Sequence, residues 1–482
     1  MASFRCLTLA LFLVLTTAED ASASPWIGTI DPQLHGDLQI LSEWGYIDVA
    51  LTSFPVPWKG ISEQLDKLSE SELPPVAVVS LQRLKHYLRQ IRGKQQHSYV
   101  RLYGATDTNG FTTLDGAEGS DAILSLNTEV FYGRWAGNLA VNYLSGGEKN
   151  LDNSFIAYQF GDWNLRLGAI DQWWGPANSS SLILSNNARP IPAIALSRAE
   201  ADSSENSWLS ILGPWYFTTQ LGQLESNRYI SDAKLSMTRF NFRPIDELEI
   251  GASWLTMWGG EQLGNSVEDF WHAVTLKAEC LDSQPSCSNL DKVTKANSLA
   301  SLDVKYTMKM FSVPFSIYGQ LVAESRDSEY ASLYGFSTYF KSYRIYFEKS
   351  DTEVACSRNR AGQQNCIYED DIYQSGFRFH ERAIGSTFDS DAKSLSVGLN
   401  KHYADGDVVD VVLRQIELNS DGISPPPLQG QSEKVRQLSA FYQTNLRNFQ
   451  LKVGSQFERS RLDNASWSSS TLLYTDLKYV FN

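Results

Sequence analysis

From about Tyr99 onward, hydrophobic and polar residues alternate one by one along most of the chain. Leu302, Val304, Tyr306 and Met308 fall on one side of an extended segment, with Asp303, Lys305, Thr307 and Lys309 on the other. The same period of two places Leu248, Ile250, Ala252 and Trp254 opposite Glu249, Gly251 and Ser253. It recurs in Trp215 to Leu224, in Leu395 to Asn400 and in Phe449 to Glu458. This is the pattern of half-buried β-strands. The polar side carries charges of both signs together with Gly and Ser. A soluble β-sandwich would seal the apolar side between two sheets. A transmembrane barrel inverts that arrangement, turning apolar residues to lipid and polar ones to a lumen. Alternation alone does not separate the two. The final segment, Leu473, Thr475, Leu477, Tyr479, Phe481, favours the barrel, since such barrels end on an alternating aromatic strand; here Asn482 follows it. The alternating segments number about 19, which the even-strand rule corrects to about 18 antiparallel strands.

Connections sort by length. Tyr132-Gly133, Gly161-Asp162, Pro244-Ile245-Asp246 and Arg447-Asn448 read as short turns, expected on the periplasmic side. Asp107 to Asp121, Gly259 to Asp269, Leu281 to Lys295, Asp351 to Asp371 and Asn419 to Lys434 read as long polar connections facing outside. Strict alternation of the two kinds is expected to fail within Trp173 to Pro214, whose side is left unassigned.

The first 95 residues read differently. Arg5, the apolar stretch Leu7 to Leu15 and Ala21-Ser22-Ala23 make residues 1–23 a signal peptide, with Thr16-Thr17-Ala18 as a competing cleavage site. Residues 24–95 carry helical stripes: Leu34, Leu38, Leu41; then Ile61, Leu65, Leu68; then Ala77, Leu81, Leu84, Leu88, Ile91. Ser53 to Trp58 is a stiff connector between the first two. Three short amphipathic helices form either an independent bundle or a periplasmic plug at one end of a barrel spanning residues 96–482. Arg83, Lys85, His86, Arg89, Arg92 and Lys94 make the third helix basic, facing water or lipid headgroups.

Composition narrows the class. Charged residues are 20% of 482, aromatics 12%, and mean hydropathy is −0.28. Beyond the N-terminus no apolar run approaches the roughly 18 residues of a spanning helix. A net charge of −14 argues against nucleic acid as a partner. Cys6 departs with the signal, leaving Cys280, Cys287, Cys356 and Cys366. Four cysteines allow three pairings, and the close spacings favour Cys280–Cys287 and Cys356–Cys366. No histidine stands near either pair at zinc-ligand spacing, so no metal or other cofactor is expected.

Catalytic signatures are missing. There is no Gly-x-Ser-x-Gly turn, and the six His residues stand singly. Glu369-Asp370-Asp371 lacks a Gly-spaced calcium loop and reads as a solvated acidic stretch. The distinctive stretch is Asn164 to Pro176, NLRLGAIDQWWGP. A strand with Leu165 and Leu167 on one side, and Asn164 and Arg166 on the other, runs into Asp171, Gln172, Trp173, Trp174 and Gly175-Pro176. Adjacent Trp residues on an extended chain point to opposite faces, so at most one is expected on the apolar side. Either they are an aromatic belt at the bilayer interface, or they belong to a fixed polar-aromatic feature inside a wide barrel. Inward polar residues, Arg166 and Glu249 among them, are expected to tie this stretch to the wall. Sugar rings bind on aromatic faces flanked by Asn, Gln, Asp, Glu and Arg, and Trp258 and Trp271 also lie beside polar loops.

Several longer motifs resemble the capsule-assembly Wzi family. They are Asp171 to Pro176 followed by Leu184-Ser185-Asn186-Asn187-Ala188-Arg189-Pro190-Ile191-Pro192, then Leu212-Gly213-Pro214, Gly222-Gln223-Leu224-Glu225 with Arg228, and Trp258-Gly259-Gly260-Glu261. Trp208-Leu209, Arg243-Pro244 and Pro55-Val56-Pro57-Trp58 add to them. The resemblance implies an outer-membrane barrel of eighteen strands in a Gram-negative bacterium, with a helical bundle at its periplasmic end. It implies a non-enzymatic, lectin-like monomer that holds exported capsular or exopolysaccharide at the surface, with outer-membrane lipid around it. The candidate binding residues are Asp171, Gln172, Trp173, Trp174, Arg189, Trp258 and Glu261. The alternative is an oligosaccharide-conducting porin.

Overall fold

The alternating segments close into a barrel in the computed structural model, which describes residues 25–27, 32–91, 96–203, 209–275, 296–324, 329–356, 363–370, 372–403, 405–423, 431–463 and 465–481. Its strands are β1 (Gln96–Ala105), β2 (Ala122–Tyr132), β3 (Trp135–Leu144), β4 in two pieces (Lys149–Asn150 and Phe155–Phe160), β5 (Trp163–Gly168), β6 (Ala193–Arg198), β7 (Trp215–Gln223), β8 (Lys234–Ile245) and β9 (Leu248–Trp258). They continue with β10 (Ala296–Met310), β11 (Val313–Ala323), β12 (Ala331–Phe340), β13 (Tyr343–Asp351), β14 (Ala392–His402), β15 (Val408–Leu418), β16 (Glu433–Leu446), β17 (Phe449–Leu462) and β18 (Ser468–Val480). Each pairs antiparallel with its sequence neighbour, and β18 pairs with β1 to close the ring. Both pieces of β4 pair with β3. Counted separately they give nineteen segments, and counted as one they give the even barrel of eighteen. Closure leaves no unpaired strand edge in the hydrocarbon.

The outward and inward sets follow the alternation. Leu302 on the outside is 52% exposed and its neighbour Asp303 is 1% exposed. Glu249 faces the lumen and is buried. Strict alternation of short and long connections fails within Trp173 to Pro214, as expected, because a long connection joins strands at the short-turn end there, while strand direction is kept. Strand β6 lies within that span, so residues 169–192 join strands at the long-connection end and 199–214 at the short-turn end. The strand escapes detection because its inward residues, Ala193 and Ala195, are themselves apolar and alternate with the outward Ile194 and Leu196. The inversion is incomplete. Near the long-connection end the inward positions become apolar: Leu235 and Met237, Leu255 and Met257, Leu299, Val322, Leu333. They pack on Leu182, Ile183 and Leu184 of one connection and on Tyr368, Phe377 and Ile384 of another. Each such buried side chain contributes about 1.5–3 kcal/mol, so this layer fills the β8–β12 side of the lumen with a core of ordinary protein character. The connection bearing the second set is stapled by a Cys356–Cys366 disulfide. Cys280 and Cys287 lie outside the described residues, as do residues 1–24 and Asp371.

Among the described residues three α-helices precede the barrel: α1 (Pro32–Glu43), α2 (Ile61–Lys67) and α3 (Pro75–Ile91). Leu34, Leu38 and Leu41 meet Ile61, Leu65, Leu81, Leu84 and Leu88 in one cluster that includes the inward Tyr216 of β7. Helix α1 is fixed to the lumen wall near the short-turn end. Its Asp37 faces His402 at 2.8 Å, and its Glu43 faces Lys305 at 2.6 Å and accepts from the Tyr339 hydroxyl at 2.5 Å. The basic face of α3 is not simply hydrated. Arg83 is paired with Asp37 at 3.2 Å, and Lys85 donates to the Leu68 carbonyl. Arg92 and Lys94 lie outside the described residues.

Candidate functional site

The connection between β5 and β6 is threaded through the lumen. It turns inward at Gly168, where φ is 142° and a Cβ would lie 2.3 Å from the Ser154 carbonyl oxygen. That position therefore excludes a side chain on steric grounds. Asp171 follows, exchanging hydrogen bonds with Asn153: its amide donates to Oδ1 at 2.9 Å and its carboxylate accepts from Nδ2 at 2.8 Å. Gln172 pairs with Gln220 of β7, which also accepts from Arg166 at 2.8 Å. Arg166 thus ties the stretch to the wall. Glu249 grips a different partner, accepting from the amides of Leu51 and Thr52 at 3.1 and 2.8 Å.

Trp173 and Trp174 form a short ladder with Ser53–Phe54, and both are 1% exposed. The expectation that at most one would lie on an apolar side holds, since only Trp174 belongs to an apolar cluster, whereas a bilayer-interface role fails because both rings are buried inside the barrel. The two rings do leave the chain in opposite directions, but both directions lead into protein. Trp174 joins the apolar layer on the β8–β12 side of the lumen, while the Trp173 indole donates to the Ala177 carbonyl at 2.9 Å. The chain then reaches the far wall. The Trp174 carbonyl accepts from Gln320 at 2.9 Å, and Glu348 accepts from the amides of Asn178 and Ser179, both at 2.8 Å. Returning, Ser185 meets Ile384 and Gly385, and Arg189 pairs with Asp152 at 2.8 Å and Glu148 at 2.7 Å.

The sequence candidates do not converge. Asp171 and Arg189 line a polar cavity of about 360 Å³ between β1–β4, β16–β18 and the threaded segment. It reaches from Ser120 and Asn150 near the long connections to Gln450 and Lys478 near the short turns. Gln172 lies just beside it, and the Trp pair is packed away. Trp258 points out of the barrel, beneath helix α4 (Val267–Val274), where it packs on Phe270 and Ala273. Glu261 is exposed close by, and Trp271 is exposed on the helix itself. The supposedly solvated acidic stretch is in part buried: Glu369 accepts from Arg378 at 2.6 Å. Residues not singled out beforehand shape the cavity instead. Arg101 bridges Asp476 and Glu118 at 2.6 and 2.5 Å, and Lys452 pairs with Asp115. Their signal is a charge at an inward position of a strand, which the alternation marks but does not assign to a site.

Burial raises the Asp171 carboxyl to about 6; the Asn153 hydrogen bond opposes this, the negative Glu118 and Asp152 reinforce it, and Arg101 counters it. A carboxyl poised there accepts hydrogen bonds from hydroxyls at neutral pH and donates one when protonated. The cavity therefore offers hydroxyl-rich ligands carboxylates, amides and guanidinium groups held by mutual pairing.

The sequence profile of the capsule assembly protein Wzi family matches residues 92–470. The chain belongs to that family. A curated relative from Klebsiella pneumoniae, an uncharacterized 55.8 kDa protein in the cps region, is 29% identical over 309 residues. That alignment covers 61% of this chain and 57% of the relative, so the chain spans little more than half of that protein's length. A solved structure of Wzi, an outer membrane protein involved in group 1 capsule assembly in Escherichia coli and described as a carbohydrate-binding β-barrel, superposes with a TM-score of 0.78. The match is at 21% identity and covers 96% of this chain and 100% of the other, so the two share a fold. With its closed strand ring and outward apolar surface, this family member is an outer-membrane β-barrel of a Gram-negative bacterium.

Proposed function

We propose that this barrel is a lectin-like monomer that attaches exported capsular or exopolysaccharide to the cell surface and catalyses no reaction. Its short turns and helices lie in the periplasm, and its long connections lie outside. The observation that carries this reading is the polar cavity beside the threaded segment: an apolar layer fills the β8–β12 side of the lumen, and the remaining space is lined by carboxylates, amides and guanidinium groups suited to holding sugar hydroxyls. Family membership and the carbohydrate binding stated for the Escherichia coli protein support it. Asp171 and Arg189 are the proposed sugar contacts, with Gln172 positioning them. Trp173 and Trp174 hold the segment in place.

Deleting the gene is expected to move polysaccharide from the cell-attached to the shed fraction, and unchanged attachment overturns the proposal. Reconstituted in planar bilayers, the full chain is expected to show no steady conductance, whereas an open channel would favour the porin. Ligand affinity is expected to rise by up to about tenfold between pH 5 and 7, as Asp171 ionises and accepts hydroxyl hydrogen bonds. Asp171→Asn should abolish that rise in a titration with polysaccharide from the source strain. A rise that persists in the variant removes Asp171 from the site.

A further inference from the structure

On three neighbouring strands the outward face changes character at one level. Leu413, Leu438 and Phe457 stand side by side across β15, β16 and β17, all strongly exposed. One step toward the long connections, the same row reads Gln415, Arg436, Arg459. The next reads Glu417, Lys434, Arg461. Lys434 pairs with Glu417 at 3.2 Å. Among the described residues, no carboxylate reaches ion-pair distance of the three arginines. Instead all three guanidinium groups gather around one indole, Trp467, at 5.1, 5.5 and 5.2 Å from its centre for Arg436, Arg459 and Arg461.

Such an arrangement is unfavourable in isolation. Three like charges repel, and an exposed cation–π contact returns only about 0.5–1 kcal/mol each. A multivalent anion placed among them reverses the balance, and guanidinium forks match phosphate oxygens two at a time. The position restricts the source of that anion. The arginines point away from the lumen and stand directly above the apolar belt, at headgroup depth on the long-connection side. A Trp at the same level is the usual interfacial residue.

We infer that Arg436, Arg459, Arg461 and Trp467 form a docking site for the phosphate-bearing headgroup of an outer-leaflet glycolipid. The site lies on the outer wall, separate from the polar cavity, and does not depend on what that cavity binds. It orients the barrel in the leaflet and holds one lipid against β16 and β17.

The test titrates the purified full-length mature chain in non-ionic detergent with bisphosphorylated lipid A, with lipid A stripped of both phosphates, and with inorganic phosphate. The phosphorylated lipid is expected to bind, and the triple variant Arg436→Gln, Arg459→Gln, Arg461→Gln to lose about a hundredfold in affinity. Stripped lipid should bind both chains equally weakly, and millimolar inorganic phosphate should not compete. Equal binding of phosphorylated lipid by both chains, or of both lipids by the native chain, overturns the inference. Competition by inorganic phosphate would mark a free-anion site instead and overturns it as well. If the triple variant fails to fold by gel mobility before and after heating, salt dependence of lipid binding to the native chain decides. Affinity that falls steeply with salt supports the site, and salt-independent affinity refutes it.

Discussion

Replacing Arg239 with methionine is expected to release the N-terminal connector from the barrel wall while leaving the strand ring intact. Arg239 of β8 is wholly buried. Its guanidinium donates to both Asp303 oxygens at 2.7 and 3.0 Å, to the Thr52 carbonyl at 2.8 Å and to Ser53 and Ser253 at 2.7 and 2.9 Å. Gly251 makes room for this pair, since a Cβ there would lie 2.5 Å from an Asp303 oxygen and 2.6 Å from the Arg239 Nη2. Methionine fills much of the volume but leaves Asp303, 1% exposed, without its counter-ion. Removing one partner of a buried pair costs about 3–5 kcal/mol. The amides of Leu51 and Thr52 report the loss, because they donate to Glu249 in the same clamp. Their hydrogen exchange should accelerate by about a hundredfold to a thousandfold. Adding Asp303→Asn should recover part of it by removing the stranded charge. Unchanged exchange in the single variant would mean that the connector is held by its apolar contacts alone.

What the sequence reveals, and what it hides, follows from range. The strands are legible because a period of two is a local property, and each one separately states which side it buries. Even its failure at β6 is local: alanine at inward positions erases the contrast between Ala193-Ile194-Ala195-Leu196 and a buried run. The plugging of the lumen is not local. It is set by pairs nearly two hundred residues apart, such as Arg239 with Thr52 and Ser185 with Ile384, and no pattern within one strand announces them. The Trp pair illustrates the difference. The rule that neighbours on an extended chain face opposite ways holds for Trp173 and Trp174. What fails is the assumption that one of those ways leads to lipid or water, because the strand they form lies inside the barrel rather than in its wall.

The site suffers from the same limit. Asp171 and Arg189 line one cavity because Gly168 turns the segment inward and the return leg brings residues 186–190 back beside it. Trp258 and Glu261 share the residue types of a sugar site, but the indole lies on the other side of the wall, where α4 claims it, and Glu261 is exposed beyond the end of β9. Residue type names candidates, and only the path of the chain decides which of them meet. The apolar layer takes up one side of the lumen. A wall that turns from Glu249 and Ser253 to Leu255 and Met257 along one strand builds a core there and narrows the remaining space to the polar cavity.

Docking of the helices should depend on acid in two separable steps, and Glu43→Gln is expected to remove the lower one. Glu43 is 3% exposed at its side chain. Burial by itself would raise its carboxyl, but Lys305 and Arg344 outweigh that, and with the hydrogen bonds from Lys305 and Tyr339 they hold it at about 2. A depressed carboxyl stabilises the docked state above its unfolded value of 4.5 and loses that contribution as pH falls from there toward 2. The depression corresponds to about 3 kcal/mol at neutral pH. His35 works in the window above. Burial drives it down to about 4, with Lys305 and Arg344 adding to the effect and the Leu51 carbonyl opposing it. Undocked chains therefore take up a proton that docked chains refuse, and stability falls as pH drops from 6.5 toward 4. Exchange of the α1 amides across pH should show both windows in the native chain. Glu43→Gln should exchange about a hundredfold faster at neutral pH and keep only the His35 window, with no further change below pH 4. His35→Asn should flatten only the upper window. A variant at Glu43 that kept the full acid dependence would show that α1 is held to the barrel by its leucines and not by this carboxylate.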